Sequence, residues 1–137
     1  MNCEEVENIL DYKFKDRALL VEALTHTSYR SKRAIPSYVR LEFLGDSVLD
    51  QIVSSELYLQ RTSEGCPLSP GEMSDIRCTL VSNNTFASIT VKCGLDNHML
   101  HQSEILSSKI LQFKNSDEWR HISGAYGGLL DRNRSGH

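Results

Sequence analysis

The sequence contains no apolar run near the ~20 residues that a bilayer-spanning helix needs, so no membrane partner is expected. It has no C-x-x-C pair, and no cysteine–histidine spacing fits a zinc site. Its four cysteines, Cys3, Cys66, Cys78 and Cys93, read as reduced, partly buried thiols. The first residues, Met1-Asn-Cys-Glu-Glu5, lack the positive charge and apolar core of a secretory signal, which implies an intracellular chain. No segment alternates in the way a strand would, and no internal repeat is visible. An excess of cations is missing too. The net charge of -3 argues against a general polyanion binder, because phosphate contacts need clustered positive charge.

What is present fits one domain. A chain of 137 residues supports one hydrophobic core, and 39% hydrophobic with 24% charged residues is ordinary for a globular protein. Helical periods dominate. Val6, Ile9 and Leu10 follow an acidic turn at Glu4 and Glu5. Asp16 is placed to cap a second helix running through Leu19, Leu20, Ala23 and Leu24 to about His26. A third helix, roughly Tyr38 to Gln60, carries Leu41, Leu44, Val48, Leu49, Ile52 and Val53 as an apolar stripe expected to face the core. Ser69, Pro70 and Glu72 have the spacing of a capping box. The helix they open bears Met73, Ile76 and Leu80. Another helix, or its continuation, runs through Phe86, Ile89 and Val91 to Gly94, and a short amphipathic piece holds Ile105, Leu106, Ile110 and Phe113. The pattern fails after Asn115, leaving a Gly- and Arg-rich tail.

Two features bear on chemistry. Arg30, Lys32, Arg33 and Arg40 lie within eleven residues, a cluster whose commonest fate is a solvated loop. The segment Arg40-Leu-Glu-Phe-Leu-Gly-Asp-Ser-Val-Leu-Asp50 puts Glu42 and Asp46 one helical turn and about 6 Å apart, with Asp50 continuing the row. Such like charges repel, and a solvent-facing acidic row is the plainer reading. A hard cation between them is the other, since Mg²⁺ takes carboxylate oxygens and retained waters. Gly45 costs the helix about 1 kcal/mol against alanine, which suggests a close approach to the backbone there.

The same segment resembles the ribonuclease III signature. The resemblance extends to Ala23-Leu-Thr-His-Thr-Ser28, to Gly71-Glu-Met-Ser-Asp-Ile-Arg-Cys-Thr-Leu-Val81 and to Asn83-Asn-Thr-Phe-Ala87, covering roughly Val6 to Leu111. Glu7-Asn-Ile-Leu-Asp-Tyr-Lys-Phe14 and Tyr126-Gly-Gly-Leu-Leu130 look most like plant ribonuclease three-like proteins and the second nuclease domain of plant Dicer-like enzymes. The resemblance implies an all-α endonuclease fold, a helical bundle, acting as a homodimer or as a heterodimer with another ribonuclease III domain. It implies cleavage of double-stranded RNA with Mg²⁺, or Mn²⁺ in its place, and recognition of duplex shape. Glu42 and Asp46 match two of the family's metal-site acids. Phe43 matches the residue that inserts into the partner subunit. Arg30, Lys32, Arg33 and Arg40 become candidates for phosphate contact. His26 and Asn83 lie in matched segments, where satisfied helix-end and core polar roles outweigh catalytic ones.

The chain departs from the family in several places. The family's second acid pair, on a later helix, has no counterpart here; Asp117 and Glu118 are adjacent and so point about 100° apart on a helix. Val39 stands where the family usually has Glu or Gln. Residues 4–115 are therefore expected to form an incomplete ribonuclease III domain with its last helices missing, and 116–137 an irregular tail. Loss of a packing helix should expose apolar surface. The expected function is Mg²⁺-dependent hydrolysis of double-stranded RNA in the nucleus or cytoplasm. The alternatives are a catalytically impaired module that pairs with an active relative, and a fragment without independent function.

Overall fold

In a computed structural model of the chain, residues 1–31, 34–116 and Trp119 are described. Among the described residues, six α-helices and one 3₁₀ turn are named in order, and extended pairing is limited to two isolated bridges. Local chemistry explains most boundaries. Helix α1, Cys3–Leu10, starts where the Asn2 side chain accepts the Glu4 N–H, and it stops at Asp11 in the left-handed region, φ 49°. Helix α2, Arg17–Ala23, starts where Asp16 accepts the Ala18 N–H at 2.9 Å. It ends short of the expected His26 because the chain turns aside there. Leu100 donates its N–H to the Leu24 carbonyl at 2.8 Å, and His26 donates to the Leu100 carbonyl at 2.9 Å.

Helix α3, Val39–Leu59, is the long element, about 31 Å at 1.5 Å per residue. Helix α4, Pro70–Leu80, has the full capping box: Ser69 accepts the Glu72 N–H, and the Glu72 carboxylate accepts the Ser69 N–H at 2.8 Å. The Ser69 hydroxyl, which donates to the same carboxylate at 2.7 Å, and the Ser69 N–H hold the Glu72 carboxyl below the usual carboxylate range. Helix α5, Asn83–Cys93, is separate from α4, because Ser82 caps it afresh by accepting the Thr85 N–H. Gly94 closes α5 at φ 76°, a conformation that a side chain would strain. The 3₁₀ turn Leu95–His98 and helix α6, Glu104–Asn115, complete the order.

The most extensive packing between elements is that of α3 on α4. Helix α3 lies against α4 and α2; α1 packs on α2 and on the 3₁₀ turn. Val6, Leu20 and Leu57 are the fully buried apolar side chains among the described residues. Beside them Glu7, 1% exposed, accepts from Arg17 Nη2 at 2.7 Å, Arg17 Nε and the Phe14 N–H at 3.1 Å each, and Lys13 Nζ at 3.4 Å. Led by the Arg17 bond, these donors outweigh burial and bring the Glu7 carboxyl down to about 2. Lys114 of α6 pairs with the buried Asp96 carboxylate of the 3₁₀ turn.

Two expectations need correction. The α3 stripe does not face a core along its length. Leu44 is 61% exposed and Ile52 53%, with Val48 and Leu49 also exposed. Helix α3 uses its other sides against α2 and α4, so burial is reached at Leu57 and partial burial at Leu41 and Val53. The cysteines are free as expected, but Cys66, Cys78 and Cys93 are exposed rather than partly buried; only Cys3 is half-buried. The tail expected from residue 116 lies, beyond Ser116 and Trp119, outside the described residues.

Candidate functional site

The acidic row of α3 opens onto a cleft. Glu42, Asp46 and Asp50 line a cavity of about 470 Å³ together with Gly45 and Leu49 of the same helix. Val81, Asn83 and Phe86, from the α4–α5 junction and the start of α5, form its opposite wall. The four-residue spacing puts all three carboxylates on one side of α3, and all three are exposed. None of them forms an ion pair with a described residue, since the ion pairs join Lys13 and Arg17 to Glu7, His98 to Glu5, and Lys114 to Asp96. Among the described residues the row thus carries unpaired negative charge, which costs a helix some tenths of a kcal/mol per like-charged pair. A β-carbon added to Gly45 would meet nothing within 4 Å, so this chain itself does not require the glycine.

The donor set defines what the cleft can hold. Among the described residues no group of three or more His, Cys, Asp or Glu side chains converges on one point. The described residues therefore build no closed cage for a metal. Two carboxylates a turn apart on an open wall still suit Mg²⁺, which keeps several waters and takes its other ligands from substrate phosphates.

The other predicted residues are dispersed. Phe43 points away from the fold, 81% exposed. Arg30 and Arg40 are exposed; Lys32 and Arg33 lie outside the described residues. His26 is a loop-ordering residue, as its expected polar role implies: its Nδ1 accepts the Ser28 N–H at 3.0 Å. Asn83 sits exposed at the first turn of α5 inside the cleft rather than in a core. Its place beside the carboxylates was not legible, because nothing local in the sequence ties the start of α5 to the middle of α3.

Comparison with known proteins identifies the family and the fold. The ribonuclease-III-like family model matches residues 16–117. The chain belongs to the ribonuclease III family. It is 39% identical over 127 residues to endoribonuclease Dicer homolog 2 of Arabidopsis thaliana, covering 93% of this chain and 9% of that protein. It is 43% identical over 110 residues to endoribonuclease Dcr-1 of Drosophila melanogaster, covering 80% and 5%. The chain thus spans under a tenth of these relatives. A solved nuclease domain of ribonuclease III from Campylobacter jejuni superposes with a TM-score of 0.67 at 35% identity, covering 91% of this chain and 84% of that one. The helical fold is that of a ribonuclease III nuclease domain, and the family is one of endoribonucleases. No described helix is long and apolar enough to cross a membrane.

Proposed function

We propose that this domain hydrolyses phosphodiester bonds of double-stranded RNA, with Glu42 and Asp46 as the carboxylates that hold Mg²⁺, or Mn²⁺, at the scissile phosphate. One observation carries this reading: the two signature carboxylates share an open cleft with Asn83 on its opposite wall, and neither is paired with a cation among the described residues. When bound, the cation would supply an activated water and neutralise charge on the phosphate. The residues have distinct tasks. Glu42 and Asp46 give one oxygen-rich wall, and substrate and water complete the coordination. Asn83 offers an amide that donates to a phosphate oxygen or orients a water. Arg30, Lys32, Arg33 and Arg40 contact backbone phosphates, reading A-form shape rather than base sequence. Phe43 and the exposed Leu44 form part of the surface that meets a second ribonuclease III domain, identical or different. The domain works in nuclear or cytoplasmic RNA processing.

The test is incubation of the purified chain with a long RNA duplex in Mg²⁺ or in EDTA. Short products that need Mg²⁺ and fall by two orders of magnitude or more in Asp46→Asn are the expected result, a loss typical of removing a group that stabilises transition-state charge (roughly 10²–10³-fold). A second reading is favoured by the absence of a third converging acid among the described residues. It is a catalytically impaired module that pairs with an active relative. Intact duplex at high protein, with a dimer by light scattering that Phe43→Asp dissolves, selects that reading.

A further inference from the structure

The loop that leads into the basic cluster is fastened from a distant part of the chain. It leaves α2 beside residues 100–102, where Thr25 and Leu100 make one parallel bridge. Its two ends are tied, since Tyr38 donates its N–H to the Thr25 carbonyl at 3.0 Å and Thr25 is buried. Past the bridge, backbone-to-backbone pairing with residues 101–102 gives way to side chains. Gln102 donates its N–H to Ser28 Oγ at 3.0 Å, and Ser28 Oγ in turn lies 2.9 Å from His26 Nδ1. The Gln102 amide then takes both backbone groups of Arg30. Its Oε1 accepts the Arg30 N–H and its Nε2 donates to the Arg30 carbonyl, each at 3.1 Å. One primary amide thereby gives Arg30 the paired bonds of a hydrogen-bonded residue in an adjacent strand.

Both partners are exposed, and these bonds link residues 72 apart in sequence. Water could serve each backbone group equally well, so the bonds do little to satisfy buried polarity. What they do is fix the backbone at the first cation of the cluster. We infer that Gln102 is a positioning residue for duplex RNA binding: its amide clasp sets the place from which Arg30 reaches a phosphate. This rests on the reading of Arg30 as a phosphate contact. Fixing a loop in its binding geometry removes ordering cost at the moment of association.

The experiment measures binding of the intact chain to a blunt RNA duplex in EDTA, across a salt series, for wild type, Gln102→Ala, Arg30→Ala and the double variant. Tryptic cleavage after Arg30, without RNA, is followed in parallel. Gln102→Ala is expected to weaken binding about five-fold, the worth of one net hydrogen bond. It should flatten the slope of log K against log salt by about one contact. The double variant should bind no more weakly than Arg30→Ala, and trypsin should cut faster after Arg30. If Arg30→Ala weakens binding while Gln102→Ala does not, or if the two losses simply add, the clasp role is overturned and the phosphate reading stands. Unchanged tryptic cleavage also overturns the clasp. If Arg30→Ala binds like wild type, the phosphate reading fails and takes the clasp with it. Should Gln102→Ala unfold, Gln102→Met, which keeps the side-chain length and removes both amide bonds without adding charge, is measured in its place.

Discussion

At Glu7, four donors replace water around one buried carboxylate. Its carboxyl titrates at about 2 when folded, against an ordinary value of 4.5. The unfolded chain therefore binds a proton first as pH falls. The stabilisation is fully present above about pH 4.5 and is lost progressively toward pH 2. Thermal melting against pH should show this acid limb in the wild type. Glu7→Gln should melt several degrees lower at neutral pH and lose less on acidification; parallel acid limbs would contradict the assignment. Gly45 is the opposite kind of residue, one the fold does not need. Because an added β-carbon meets nothing, Gly45→Ala should raise stability by about 1 kcal/mol in chemical denaturation. If duplex RNA or a partner comes close at the cleft, the same variant should bind duplex more weakly. Destabilisation instead would mean that the backbone there is already packed.

At the scale of elements, α6 depends on an electrostatic tether. Lys114 reaches back to Oδ2 of the buried Asp96, whose Oδ1 has no hydrogen-bond partner among the described residues. Lys114→Ala leaves that carboxylate unpaired and should cost about 2 kcal/mol, discounted because the lysine is partly exposed. Urea unfolding reads the loss, and an unchanged midpoint would show that the ion pair is not formed in solution. The helices were legible wherever their ends are made by neighbours in sequence. Asp16, the Ser69–Pro70–Glu72 box and Gly94 all act within four residues, so spacing alone exposes them. The end of α2 was not legible, because Leu100 decides it from across the fold. The orientation of α3 failed for a related reason. Periodicity reveals that Leu44, Val48 and Ile52 share a stripe, but not whether another element covers it.

At the scale of the molecule, the described residues combine a small core with an open face on α3. Val6 of α1, Leu20 of α2 and Leu57 near the end of α3 are the buried apolar side chains, while the middle of α3 presents carboxylates to a cleft and apolar side chains to solvent. A domain built this way gains stability from whatever covers that face, by the ordinary linkage of binding to folding. The candidate site was half legible: Glu42 and Asp46 could be paired from spacing, whereas Asn83 needed the α4–α5 turn to bring it opposite. The proposed hydrolysis needs a divalent cation lodged at that row. Backbone amide NMR during titration with substoichiometric Mn²⁺ tests it most directly. Paramagnetic broadening should strike Glu42, Gly45, Asp46 and Asn83 first, and should disappear there in Asp46→Asn. Broadening that is uniform, or that centres on Glu4 and Glu5 while the cleft signals persist, would contradict the account.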